Sequence, residues 1–286
     1  MVRIEWRGVP RLVGALMLAA FALQAAGPRL LIVTDMEGVG GVNNWDEQVM
    51  PGQRRFEESR RLLTGEVNAA VAGAFDAGAG SVVVWDGHDG SRSLVIDEID
   101  PRAELLQGRG TKGNYNFSSK LYDGVMFVGQ HAMAGTRNGL LAHTQSRAIE
   151  RITINGKPVG EIAQVAAIAG YFDIPVIFLS GDQAACDEMR ALQPTAEVAA
   201  VKRMVGAGSS LSLPHMRAKE LIRAQARRAV ERTSEFRPWK IDGPVEMRFE
   251  FLPTNDPQKP APAPQSYKGA TVLEAFEQWL GKAATE

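Results

Sequence analysis

The chain has 286 residues, 45% of them hydrophobic and 23% charged, enough to bury a full core in one large domain or two small ones. A formal net charge of -1 and a pI near 6.5 provide no basic footprint for nucleic acid, and the one dense basic run, KELIRAQARRAVER at 219–232, has the spacing of a solvated helix face. The single cysteine, Cys186, excludes an intrachain disulfide and a cysteine-built zinc site; within DQAACDEMRAL it reads as a buried, inert thiol in a helix. At the amino end, Arg3, Arg7 and Arg11 precede LVGALMLAAFALQAA, a run of about 15 uncharged residues that is too short to span a bilayer comfortably and ends in small residues. Residues 1–26 are therefore expected to be a secretory signal cleaved near Ala25 or Ala26, with an uncleaved anchor or a misassigned start as the alternatives. The mature protein is then expected to be periplasmic or secreted, without stable membrane association.

From Arg29 onward, apolar runs of strand length alternate with helical periodicity. RLLIVTD (29–35) reads as a strand, and 54–79 as a helix with Leu63, Val67, Ala70, Val71 and Ala74 on one face. SVVVWD (81–86), GVMFVGQ (124–130), IPVIFLSGD (174–182) and EVAAVK (197–202) are near-continuous apolar strands, a pattern that belongs to strands buried on both faces. RITINGKPVG (151–160) alternates around Asn155-Gly156, a hairpin signal, and leads into a helix at 161–172 that begins with Glu161. Beyond about 205 come a basic amphipathic helix (215–233), a strand VEMRFEF (245–251), a Pro-rich stretch (253–265) and a last helix near 271–281. The expected fold class is α/β, a mostly parallel sheet flanked by helices (27–205), with a smaller C-terminal α+β part (206–286).

Polar residues gather where the strands stop. Asp35 and Glu37 follow the first strand, Asp86 and His88 the second, His131 follows GVMFVGQ, and His143 lies just beyond in GLLAHTQS. Ligands of open parallel sheets bind beyond the carboxyl ends of the strands, so these side chains can converge. Two carboxylates one residue apart in VTDMEGVGG repel each other unless a cation lies between them, and the following glycines let the backbone turn away. Carboxylates with imidazoles and no thiolate favour zinc or another late first-row metal over magnesium. Taken singly, each residue also has an ordinary reading: a turn or cap for Asp35 or Glu37, a core or loop histidine, a helix-start glutamate for Glu161.

In order along the chain, VTDMEGVGG, WDGHDG, VGQHAMAG, GLLAHTQS and NGKPVGEIAQVAAIAGYFDIPVIFLSGD resemble the successive motifs of the D-aminopeptidases, a family of dizinc metallopeptidases, over roughly residues 29–205. The resemblance implies that Asp35 bridges two zinc ions, that Glu37 and His88 complete one site and that His131 and Glu161 complete the other. It makes His143 the catalytic histidine, as nucleophile or as a group that activates water and shuttles protons. It also implies a substrate that is a short peptide or amide with an amino-terminal residue such as D-Ala, and a ring-like homo-oligomer. His215, in SLPHMR, matches no motif.

Three departures stand beside the resemblance: the leader, Gly87 where serine is expected before His88, and a C-terminal stretch, VEMRFEFLPTNDPQKPAPAPQ, that follows the family pattern poorly. Two rival functions remain. A metal-dependent phosphoesterase would use Asp35 as nucleophile and leave His88, His131 and Glu161 without a role; an exported solute-binding protein would bind its ligand without metal.

Overall fold

The computed structural model describes residues 27–108, 121–254 and 260–283. The expected leader and part of the Pro-rich stretch lie outside the described residues. No helix among those described is long and apolar enough to cross a membrane.

Seven strands form the main sheet, in the spatial order β3-β2-β1-β4-β7-β8-β9. They are β1 (Arg29–Thr34), β2 (Ser81–Trp85), β3 (Glu104–Leu106), β4 (Gly124–Gln130), β7 (Val176–Asp182), β8 (Glu197–Gly206) and β9 (Ser209–Ser212). All neighbours run parallel except β8 and β9. The continuous apolar runs are explained by burial on both sides. Leu31, Val33 and Phe127 face one core, while Leu30, Ile32 and Met126 face the other. The chain first lays β2 and β3 on one side of β1, then crosses to place β4 on the other, so the connections leave β1 and β4 in opposite directions and open a crevice at their carboxyl ends.

On one face lie α2 (Phe56–Asp76) and α5 (His215–Glu231), preceded by a short helix, α1 (Trp45–Gln48), whose Asn44 cap accepts from the Asp46 N–H at 2.8 Å. Helix α2 ends where Gly78 takes φ +84. It crosses α5 closely, because Gly73 carries no side chain where a Cβ would stand 2.4 Å from the Arg223 carbonyl oxygen. On the other face lie α3 (Glu161–Tyr171), α4 (Gln183–Leu192), the final helix α6 (Val272–Ala283) and a second sheet. That sheet is antiparallel, in the order β11-β10-β5-β6, and combines the hairpin β5 (Ile149–Ile154) and β6 (Lys157–Pro158) with β10 (Val245–Phe251) and β11 (Gln265–Gly269).

The hairpin turn has positive φ at both Asn155 (49°) and Gly156 (78°), as its sequence predicts. Helix α3 follows at once and is buried from Ile162 to Gly170, which is why its sequence is apolar around its whole circumference. Cys186 is buried in α4. Sequence reading misses β3, β9 and β11. Their sequences ELL, SSLS and QSYKG are short or polar and become strands only by pairing at a sheet edge.

Candidate active site

Asp35 is the first residue past β1, and its position is fixed from both sides. Its N–H donates to the Val128 carbonyl at 2.8 Å, and the Gly38 N–H donates to Gly129 at 2.7 Å. The two segments approach so closely that a Cβ on Gly38 would lie 1.9 Å from the Gln130 carbonyl oxygen, and one on Gly129 would lie 2.0 Å from the Asp35 carbonyl oxygen. Gly129 also holds φ at +79°, so glycine is required there twice over. Beneath the bend, the buried Lys202 of β8 donates to the carbonyl oxygens of Glu37 and Val42, and Glu66 of α2 accepts the Gly40 N–H at 2.9 Å. Burial lowers the Lys202 pKa to about 8 against the pull of Asp182 and Glu66, and burial raises Glu66 to about 8.

Around Asp35 the predicted residues converge. Asp35 Oδ1 lies 2.9 Å from His88 Nδ1, and Oδ2 lies 3.1 Å from His131 Nε2. Glu37 Oε2 is 3.2 Å from His88 Nδ1, Glu161 Oε1 is 3.5 Å from His131 Nε2, and His143 Nε2 is 3.9 Å from that same Glu161 oxygen. Two sets, Asp35–Glu37–His131 and His131–His143–Glu161, have donor atoms all within 4.8 Å of one another. Asp86 does not join them: its carboxylate turns to the backbone N–H groups of Ser93 and Leu94 and to the Ser93 hydroxyl. His215 is also elsewhere, packed against α2 beside Gly65.

Each of the three clustered histidines has its outer ring nitrogen against a backbone carbonyl. His88 Nε2 is 2.7 Å from Val49 O, His131 Nδ1 is 2.9 Å from Ala132 O, and His143 Nδ1 is 3.1 Å from Leu141 O. A carbonyl can only accept, so the outer nitrogen donates and carries the proton of the neutral ring. The inner nitrogen then points a lone pair at the carboxylates. Lone pairs facing carboxylate oxygens in a buried space require a cation between them, either a proton on the ring or a metal ion. Glu37 Oε2 and His131 Nε2, both buried, make no hydrogen bond. The donor set fits a late first-row metal.

The protonation equilibria carry the same signature. Burial opposes charge on His88, but Glu37 and Asp35 outweigh it and raise the pKa well above the ordinary range; for His131, Asp35 and Glu161 do likewise. Burial would raise Asp35, yet His131 and His88 hold it well below the usual carboxylate range, and His131 lowers Glu161 against its own burial.

The carboxylates are also oriented by neutral donors. Gln130 Nε2–H donates to Asp35 Oδ2 at 3.0 Å, the Met36 N–H to Asp35 Oδ1 at 2.9 Å, and the Gln145 N–H to Glu161 Oε1 at 2.7 Å. Leu141 (φ 58°) and Gln145 (φ 63°) hold left-handed conformations on either side of His143. Asp182 fastens this loop by accepting the Leu140 N–H at 2.9 Å while its other oxygen caps α4 at Ala185. The His143 ring stands edge-on to Trp45 at 4.9 Å. Sequence reasoning misses Gln130, Trp45, Lys202 and Glu66. A lysine closing the apolar run EVAAVK is the one visible signal among them, since a charge there needs a buried partner. At Gly87, a Cβ would stand 2.7 Å from the Thr34 carbonyl oxygen, so the serine expected there would require the β1 backbone to move.

Imidazoles and carboxylates gathered at the carboxyl ends of a parallel sheet form a site of the kind that holds a metal ion. A profile of the D-aminopeptidase family matches residues 29–272, and the chain belongs to that family. It is 32% identical over 226 residues to a D-aminopeptidase of Bacillus subtilis (strain 168), an alignment that covers 78% of this chain and 81% of that one. Its fold is similar, with a TM-score of 0.80 and 27% identity, to the solved structure of the Zn-dependent D-aminopeptidase DppA from Bacillus subtilis, described as a self-compartmentalizing protease; the match covers 90% of this chain and 97% of the other.

Proposed function

We propose that this chain is a zinc-dependent D-aminopeptidase that releases the amino-terminal residue of short peptides or amides, and that it holds two zinc ions. In this assignment Asp35 bridges the ions, Glu37 and His88 complete one site, and His131 and Glu161 complete the other. The observation that carries the reading is the division of the Asp35 carboxylate, one oxygen 2.9 Å from His88 and the other 3.1 Å from His131, with the outer nitrogen of each ring against a backbone carbonyl so that the inner nitrogen is the one turned to a cation. Zinc bound there supplies a Lewis acid that polarises the scissile carbonyl and lowers the pKa of water.

The chain's own groups do the remaining work. His143 keeps its proton on Nδ1, against Leu141 O at 3.1 Å, so Nε2 is the atom that takes a proton from the attacking water and returns it to the departing amine. Gln130 and the Gln145 N–H fix the Asp35 and Glu161 carboxylates, so neither must reorganise as charge develops. The preference for a D-residue rests on the family to which the chain belongs.

Two further parts of the proposal rest on sequence and on kinship. Export follows from the basic and apolar leader, and amino-terminal sequencing of protein from a secreting host would test it: a chain retaining Met1 in the cytoplasmic fraction sinks it. Homo-oligomerisation is supported by the self-compartmentalizing relative, and light scattering at working concentration decides it.

The function itself is tested by elemental analysis of purified protein together with hydrolysis of D-Ala and L-Ala p-nitroanilide. About two zinc per chain and faster release from the D-substrate are expected, the count being that of a two-metal site. Absence of bound metal, or no hydrolysis of either anilide by zinc-loaded protein, would overturn the reading.

A further inference from the structure

The loop that carries His143 turns back on itself immediately after that residue. Thr144 and Ser146 form an antiparallel bridge, with the Ser146 N–H donating to the Thr144 carbonyl at 2.7 Å, and Gln145 between them holds φ at 63°. The reversal brings Arg147 over Trp45, its guanidinium carbon 4.9 Å from the ring centroid. Trp45 in turn meets the His143 ring edge-on, at 4.9 Å and 80°. A single indole therefore separates the guanidinium from the histidine that handles the proton.

Arg147 is exposed and has no carboxylate within ion-pair distance among the described residues. Many surface arginines here answer to an acid, such as Arg55 to Glu58 and Arg102 to Asp100. Arg147 rests instead on an aromatic face. Stacking of this kind holds the planar fork in one orientation, leaves its N–H edges unused and lowers the entropy lost when a planar anion is bound through two parallel hydrogen bonds. Each contact is 4.9 Å from the indole centroid, so the guanidinium carbon and the imidazole centroid are at most about 10 Å apart, within the reach of two or three extended residues at about 3.3 Å apiece.

We propose that the Arg147 guanidinium, laid over Trp45, binds the C-terminal carboxylate of a short peptide whose scissile bond lies at His143, and so makes a free carboxyl end a determinant of substrate choice. The inference rests on the aminopeptidase reading and adds to it the class of peptide preferred. Trp45 serves as the platform and is a positioning residue.

The test is a selectivity ratio, kcat/KM for D-Ala-Gly-Gly divided by kcat/KM for D-Ala-Gly-Gly amide, measured on the same zinc-loaded, full-length preparation. Because both substrates see the same fraction of correctly folded enzyme, the ratio is insensitive to partial misfolding. The wild-type enzyme is expected to favour the carboxylate, and Arg147→Met to reduce that preference by about 10- to 100-fold, the worth of a hydrogen-bonded charge. The effect should enter through KM, and Arg147→Lys should keep a larger share of the preference than Arg147→Met because it retains the charge while losing the fork. A wild-type enzyme without the preference, or a ratio unchanged in Arg147→Met even where the overall rate falls, would overturn the assignment and make Arg147 a prop for Trp45. Wild-type enzyme that hydrolyses neither peptide nor D-Ala p-nitroanilide would instead overturn the aminopeptidase reading, and this inference with it.

Discussion

His131 and His143 lie ring on ring, their centroids 4.0 Å apart and their planes 20° from parallel, yet their inner nitrogens serve different neighbours. His131 Nε2 is close to both Asp35 (3.1 Å) and Glu161 (3.5 Å), whereas His143 Nε2 reaches only Glu161, at 3.9 Å. His143 thus belongs to the His131–His143–Glu161 set but not to the set around Asp35, and its proposed role is to move protons rather than to hold metal.

Replacing His143 by alanine should therefore leave zinc content near the wild-type level while turnover of D-Ala p-nitroanilide drops by about 10²- to 10⁴-fold, the usual worth of general acid–base catalysis. Metal analysis and steady-state kinetics on the same sample decide the matter. Loss of zinc in step with activity would place His143 among the ligands.

Asp35 is expected to behave in the opposite way. Asp35→Ala removes the carboxylate that faces both His88 and His131, and both ions should be lost or held far more weakly. Asp35→Asn keeps the shape without the charge, and a neutral amide is a poor bridge between two dications, so its zinc content should also fall. An Asp35→Asn protein retaining both ions at full occupancy would contradict the bridging role.

The buried Glu66 predicts a pH dependence of stability. Its folded pKa, about 8, lies above the ordinary value of 4.5, so between those values the folded state holds a proton that the unfolded state has released. Stability from this group is complete below pH 4.5 and is lost as pH rises through 8, with a slope approaching 1.4 kcal/mol per pH unit. Glu66→Gln should remove that slope. Urea titrations of metal-free wild-type and variant protein between pH 5 and 7.5 measure it, at about half-unit steps. Identical slopes would mean that Glu66 is ionised and paired with Lys202.

Two glycines with similar dihedral angles should respond very differently to alanine. Gly129 (φ +79°) would place its Cβ 2.0 Å from the Asp35 carbonyl oxygen, while Gly52 (φ +86°) has nothing within 4 Å. Gly52→Ala should cost about 1 kcal/mol for the left-handed backbone alone, and Gly129→Ala about 4 kcal/mol or more together with loss of zinc, because β1 and β4 must part to admit the methyl group. Chemical denaturation and metal content check the pair, and equal costs would show that the approach of the two strands is loose.

Much of this was readable from the sequence because burial leaves a plain mark. The central strands show up as unbroken apolar runs, and Asp35, His88 and His131 stand out because each interrupts such a run at the end where ligands bind. Glu161 is visible through the Asn155-Gly156 turn that sets where its helix begins. The unreadable parts are those created by tertiary contact. Trp45 sits in the polar stretch NNWDEQ and gains its role only by meeting His143, and nothing local tells that Gln130 reaches Asp35. Strand β9, with sequence SSLS, exists because β8 runs on to Gly206 and provides an edge to pair with.

The second sheet has a consequence in time. Glu161 is placed by the β5–β6 hairpin, and that hairpin is held along its open edge by β10, in the register Met247 to Ile154 and Phe249 to Ile152. Four of the five proposed ligands lie within the first 131 residues, but the support for the fifth is among the last parts of the chain to be synthesised. A nascent or truncated chain thus carries most of the donors without the frame that sets the last one in place. A chain that stops before Val245 is therefore expected to hold the Glu161 end of the site less firmly than the full-length chain.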